Sequence, residues 1–180
     1  TINLNRGFGA SAGYASINEN AVWIDKNNPL KNVSTMVDGN WEFLDTWNSD
    51  YIPNNFYNVK SGNVLNSISA RYYEIEVSNT ISLSTEIELD RFQILVKEGK
   101  LNLLKDSSLK ILDTAIVKLG SIGNKGTLTA NSMSINAGTL SGTGSVSISN
   151  SLVLNSGNVI ADGTLTANSM SINAGTLSGT

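Results

Sequence analysis

Residues 126–143 read GTLTANSMSINAGTLSGT, and residues 163–180 repeat the same eighteen letters. An identity of that length at a spacing of 37 residues is a duplication, and repetition at such a period marks a stacked architecture. Between the copies, residues 144–162 read GSVSISNSLVLNSGNVIAD, a degenerate form of the same pattern, so the structural unit is 18 or 19 residues long. Within each unit apolar residues alternate with Ser or Thr, as in Thr127-Leu128-Thr129 and Ser132-Met133-Ser134-Ile135. Period two is a strand signature, because successive side chains point to opposite faces. Helix is excluded by that spacing and by the poor helix propensity of Gly, Ser and β-branched residues. The regular apolar columns argue against a disordered linker.

Each short strand ends at Gly or Asn, residues that tolerate the positive φ of a sharp corner. Three strands and three corners in 18–19 residues predict one coil of a parallel β-helix. Coils must stack, about 4.8 Å apart, to bury their apolar faces. Aligning the units predicts four inward columns: Leu128, Val146 and Leu165; Met133, Leu152 and Met170; Ile135, Leu154 and Ile172; Leu140, Val159 and Leu177. The extra residue of the middle unit falls between Val146 and Leu152, which predicts a turn there. Corner positions are Asn136, Asn155 and Asn173, each followed two residues later by Gly138, Gly157 and Gly175. The asparagines either form a ladder of side-chain amides from coil to coil or simply adopt a left-handed conformation before the glycine.

Working outward, the alternation continues upstream in longer coils: Ile75-Glu76-Val77, Ile81-Ser82-Leu83, Ile87-Glu88-Leu89, Ile94-Leu95-Val96 and Leu101-Asn102-Leu103. Ser108-Leu109-Lys110-Ile111 matches Ser132-Met133-Ser134-Ile135 one coil later, at a spacing of 24, with the excess assigned to a loop over 120–125. The expected organisation is a cap or entry segment at 1–73 and roughly five β-solenoid coils at 74–180, in an all-β fold. A right-handed parallel β-helix is preferred, although the spacing of Leu128, Leu140, Val146 and Leu152 also suits a left-handed triangle. Residues 1–73 differ in kind: Trp23, Trp41 and Trp47 all lie there, and no aromatic residue follows Phe92. A solenoid needs a cap over its open core and strand edge, and an aromatic-rich segment suits that role.

Composition narrows the chemistry. The 180-residue chain has no Cys and no His, a net charge of −3, and 15% charged residues. A disulfide framework and thiolate metal sites are excluded, and the commonest general base and metal ligand is missing. Nothing marks a nucleic-acid footprint, and no apolar run approaches the ~20 residues of a spanning helix. No Gly-Gly-x-Gly-x-Asp calcium nonapeptide occurs, so no metal or other cofactor is expected. The start at Thr1 without a basic-then-apolar segment fits a processed secreted protein, and a trimmed chain would look the same. At the other end Leu177 would face an open coil, so either repeats continue or another copy docks there.

Gly39-Asn40-Trp41, then Thr46-Trp47, Ile52-Pro53 and an Asn-rich stretch resemble the entry segment of bacterial secreted β-helix proteins. The downstream coils resemble autotransporter passengers and filamentous-haemagglutinin-like adhesins. The likeness spans residues 39–180 and implies a secreted or cell-surface location, with no catalytic residues to carry over.

Three candidate surfaces remain. Carboxylates at Glu74 and Glu76, and at Glu86, Glu88 and Asp90, share outward faces at period two, near Lys97, Lys100, Lys105 and Lys110. Such acids serve polysaccharide lyases and glycosidases, but acid and lysine rows are also an ordinary solvated sheet face. Trp23, Trp41 and Trp47 are possible carbohydrate contacts, although packing in the cap is the simpler role. Thr127, Thr129, Ser132, Ser134, Thr164, Thr166, Ser169 and Ser171 form a hydroxyl surface of the kind that ice binding or O-glycosylation uses. The expectation is a non-catalytic extracellular stalk, adhesin or self-assembling fibre subunit. Its partner would be itself, end to end, or a host or cell-surface carbohydrate. The alternative is a secreted β-helix that binds carbohydrate or degrades polysaccharide.

Overall fold

The computed structural model describes residues 33–48, 52–53, 56–58, 65–67, 74–89, 93–96 and 98–179. Parallel strands stack as a β-solenoid of about five turns, with the short strands Val33–Ser34 and Gly39–Asn40 laid against its N-terminal edge. Each complete repeat turn has three sides. The first and second sides are the two arms of one long strand, such as Thr127–Ile135 or Ser145–Leu154. The register of these strands breaks between Ile111 and Thr114, Ala130 and Met133, and Ile148 and Ser151. The third side is a seven-stranded sheet running from Gly39–Asn40 through Thr80–Leu83, Lys100–Leu103, Ser121–Asn124, Thr139–Gly142 and Asn158–Ala161 to Thr176–Ser178.

The inward columns pair as aligned. Leu128, Val146 and Leu165 stack on the first side, and Met133, Leu152 and Met170 with Ile135, Leu154 and Ile172 on the second. Leu140, Val159 and Leu177 stack on the third. Alternation places every second residue in one continuous core that runs from Val33 to Val159. Within the long strands the period-two rule fails at the corner between the first two sides. There one residue, Asn131, separates the inner residue Ala130 from the next rung position, whereas the middle unit has two, Ser149 and Asn150. The extra residue of the middle unit is therefore a corner residue, as its place in the sequence predicted.

Two expectations are corrected upstream. Residues 108–111 pair with 127–130 and not with 132–135, whose partners are 114–117. Both arms read polar-apolar-polar-apolar, so period alone cannot tell one side from the next. The stretch 120–125 is not a loop: Ser121–Asn124 is a third-side strand, with Ile122 and Asn124 pointing inward. The spacing of 24 is therefore one turn, from Ser108 to Thr127, followed by the first-side arm from Thr127 to Ser132; a turn at 104–107, with Asp106 at φ 67°, precedes it. The parallel ladder also begins before residue 74, since Val33 pairs with Ile75 and Gly39 with Ile81. Between these rungs lie a short 3-10 helix, Leu44–Thr46, and an antiparallel pair, Phe56–Asn58 with Leu65–Ser67.

Candidate functional site

The corner between the second and third sides carries the most regular polar structure. Asn155 donates its side-chain amide to Asn136 Oδ1 at 2.8 Å, and Asn173 donates to Asn155 Oδ1 at 2.8 Å. The Ser134 and Ser171 hydroxyls donate to the Asn136 and Asn173 oxygens, at 2.8 and 3.2 Å. The ladder has a polarity: each amide donates one turn back toward the N-terminus. Among the described residues only Asp106 is a non-glycine with positive φ, so these asparagines hold their corner by coil-to-coil bonding and not by left-handed backbone.

The glycines of that corner have a reason the sequence did not show. Gly175 has φ 100°, but Gly138 and Gly157 do not have positive φ. What demands glycine is close approach: a Cβ at Gly138 would sit 2.3 Å from the Gly120 carbonyl oxygen, and one at Gly157 2.4 Å from that of Gly138. At the corner between the third and first sides, Asn124 is buried, donating Nδ2 to the Ser145 carbonyl at 2.9 Å and accepting from the Gly126 N–H at 3.1 Å. One turn on, Gly142 (φ 129°) takes its place, where a Cβ would collide with the Asn124 carbonyl.

The outward surface changes character along the rod. On the first side one column runs Glu86, Ser108, Thr127, Ser145, and its neighbour Glu88, Lys110, Thr129, Ser147, Thr166. Lys110 Nζ meets Glu88 Oε2 at 2.8 Å, the acid–lysine pairing of a solvated sheet face. Glu76 belongs to the second side and Glu86 and Glu88 to the first, so these acids stand on different sides of the rod. The Ser78 hydroxyl donates to Glu76 at 2.9 Å. Asp90 and Lys97 lie outside the described residues. Among the described residues no three acidic, His or Cys side chains come close enough to hold a metal ion. Beyond Lys125 the only charge is Asp162, and the first side presents hydroxyls in rows about 4.8 Å apart.

Trp41 and Trp47 are not sugar platforms. They are buried, at 0% and 2% exposure, with centroids 4.7 Å apart in an edge-on pair. Trp41 Nε1 donates to the Pro53 carbonyl and Trp47 Nε1 to the Trp41 carbonyl, each at 2.9 Å. Both rings are spent on packing, with their one polar atom satisfied, and offer no face for stacking. Trp23 lies outside the described residues.

Around these rings, residues 33–48 clasp the adjacent turn. Thr35 Oγ1 accepts from the Ser78 and Asn79 N–H groups, and Asp38 Oδ1 from that of Thr80. Glu42 Oε1 accepts from the Ser84 and Thr85 N–H groups at 2.7 and 3.0 Å, and from both hydroxyls at 3.1 Å. Partial burial works to raise the Glu42 pKa. Hydrogen bonds from the Ser84 backbone, its own backbone and the Ser84 and Thr85 hydroxyls outweigh that and hold it below its ordinary 4.5. Sequence reasoning missed this clasp, because its partners lie 42–44 residues apart.

Of the predicted core, Leu128, Met133, Ile135, Leu140, Val146, Leu152, Leu154 and Val159 are buried and Leu165 is partly buried. Met170, Ile172 and Leu177 are exposed, at 42%, 49% and 42%. Among the described residues, no helix is long and apolar enough to cross a membrane. No protein-family model, curated protein or solved structure matches this chain.

Proposed function

We propose that this chain is a non-catalytic, extracellular load-bearing rod: a stalk or adhesive segment at a bacterial surface. The observation that supports it is the duplicated turn. Residues 126–143 and 163–180 are identical, and the same inward register carries through the intervening turn. Such a unit lengthens a rod by about 4.8 Å per 18–19 residues without redesign of its core. Neutral hydroxyl-bearing sides, an amide ladder and a clasp built from Thr35, Asp38 and Glu42 suit a surface element that spaces or presents something else.

Force spectroscopy tests the reading. A rod unravels in a series of steps, each releasing about one turn of chain. Collapse in a single event at low force argues against load bearing. A polysaccharide panel with a reducing-end assay tests the catalytic alternative, and turnover abolished by Glu86→Gln or Glu88→Gln would replace the proposal.

A further inference from the structure

The corner between the third and first sides is crossed by three equivalent steps, Lys125-Gly126, Thr143-Gly144 and Asp162-Gly163. In the first two the glycine N–H is engaged. That of Gly126 donates to Asn124 Oδ1 at 3.1 Å, and that of Gly144 to the Asn124 carbonyl at 2.9 Å. Among the described residues nothing accepts from the Gly163 N–H. The reason lies just ahead of the duplicated unit. Gly126 and Gly163 open identical eighteen-residue stretches, but Asn124-Lys125 precedes the first and Ala161-Asp162 the second. Ala161 has no side-chain acceptor, and the Gly142 carbonyl already accepts from the Asp162 N–H at 3.1 Å. An unengaged backbone amide therefore follows directly on an exposed carboxylate, and glycine has no Cβ to obstruct approach to its nitrogen.

We infer that Asp162-Gly163 is a site of spontaneous main-chain modification, the rearrangement of aspartate to isoaspartate. The Gly163 nitrogen attacks Asp162 Cγ in its carboxylic-acid form. The N–Cγ bond closes a succinimide ring, and the amide proton leaves with the carboxyl hydroxyl as water. Water then adds back at either carbonyl. Opening at Cγ restores aspartate; opening at the main-chain carbonyl leaves Gly163 joined through Cγ, with one extra atom in the backbone. This corner has no slack for that atom. A Cβ at Gly163 would lie 2.3 Å from the Gly144 carbonyl oxygen and 2.4 Å from that of Thr143. The flanking chain is pinned by Asp162 N to Gly142 O and by Val146 N to Thr164 O, at 3.1 and 2.8 Å. Rearrangement thus loosens the turn 163–179 from the turn before it, starting at the Val146–Leu165 rung. The inference does not depend on the function proposed above.

The other Asp-Gly step, Asp38-Gly39, is an internal control. Asp38 Oδ1 accepts from the Thr80 N–H at 2.8 Å, and Gly39 is paired with Ile81 in a strand. The test ages the full 180-residue chain in warm neutral buffer. Isoaspartate is then located by enzymatic methylation of its free α-carboxyl and by electron-transfer fragmentation of the digest. It is expected to accumulate severalfold faster at 162 than at 38 in the folded chain, and at similar rates at the two sites in denaturing urea. Asp162→Glu, which would have to close a larger ring, should show none at 162. Ala161→Asn returns the acceptor that Gly126 has, and should slow the reaction about two- to twelvefold, the factor that one net hydrogen bond gives. Amide exchange across Leu165–Ile172 should be faster in the aged wild type than in the fresh protein. No isoaspartate at 162, or equal rates at 38 and 162 in the folded chain, overturns the inference without need of any variant. So does the same preference for 162 persisting in urea, an Ala161→Asn variant of unchanged circular-dichroism melt that reacts at the wild-type rate, or unaltered exchange after ageing.

Discussion

Asn155 lies one turn above Asn136 and one turn below Asn173, donating to the first and accepting from the second, each across 2.8 Å. It is the central member of the ladder, so removing it breaks two amide-to-amide bonds, whereas removing Asn173 breaks one. With each net bond worth ~0.5–1.5 kcal/mol, Asn155→Ala is expected to cost about 1–3 kcal/mol and Asn173→Ala about half that. Urea denaturation of the two variants checks the ratio. Equal losses would mean that the amides act only as corner residues.

The glycine column makes a sharper contrast. At Gly157 a Cβ meets a carbonyl oxygen of the neighbouring turn, so alanine forces the turns apart, at about 1–3 kcal/mol. At Gly123 the nearest atom is the Asn102 Oδ1, 3.2 Å away on a side chain that can move. There the reduced entropy of the unfolded chain offsets the contact by ~0.4–1 kcal/mol, and Gly123→Ala is expected to be close to neutral. Thermal melts of the two alanine variants should separate clearly, with only Gly157→Ala lowered.

The four inward columns were legible because alternation and duplication both act along the chain, where sequence displays them. Corners were legible as positions but not as causes: Gly138 and Gly157 serve close approach between turns, a relation between residues 18 or 19 apart. Ser121–Asn124 read as a loop because it holds one large apolar residue, Ile122, and fills its other inward position with Asn124. Val33–Ser34 and Gly39–Asn40 are too short to show any period. Trp41 and Trp47 could not be assigned from sequence, since an indole carries the same signal in a sugar platform as in a core. Only burial and the bond from Trp41 Nε1 to the Pro53 carbonyl decide it.

That bond allows packing and polarity to be separated at Trp41. Trp41→Ala empties a fully buried ring site and is expected to cost about 3–5 kcal/mol. Trp41→Phe keeps most of the apolar volume but leaves the Pro53 carbonyl without its donor, for about 1–3 kcal/mol. Chemical denaturation measures both. A glycan array should register no difference between wild type and Trp41→Phe, because a buried ring is not a ligand contact.

The clasp by Glu42 makes stability depend on pH in a definite direction. Burial disfavours its charge, but the hydrogen bonds from Ser84, its own backbone and Thr85 prevail, so the folded-state pKa lies below 4.5. A carboxyl with a depressed folded pKa binds more protons in the unfolded chain, so its contribution is fully present above the unfolded value. As pH falls through about 4.5 the unfolded chain takes up the proton, and the contribution declines until pH has passed the lowered folded value. Protonation also turns an acceptor of four hydrogen bonds into a group that must place a proton among four donors. The wild-type denaturation midpoint is expected to fall between pH 5 and pH 3 more steeply than that of Glu42→Gln, which cannot titrate there. Parallel slopes would show that the clasp does not carry the acid sensitivity. Loss of the difference with Ser84→Ala and Thr85→Ala together would locate it in the two hydroxyl bonds.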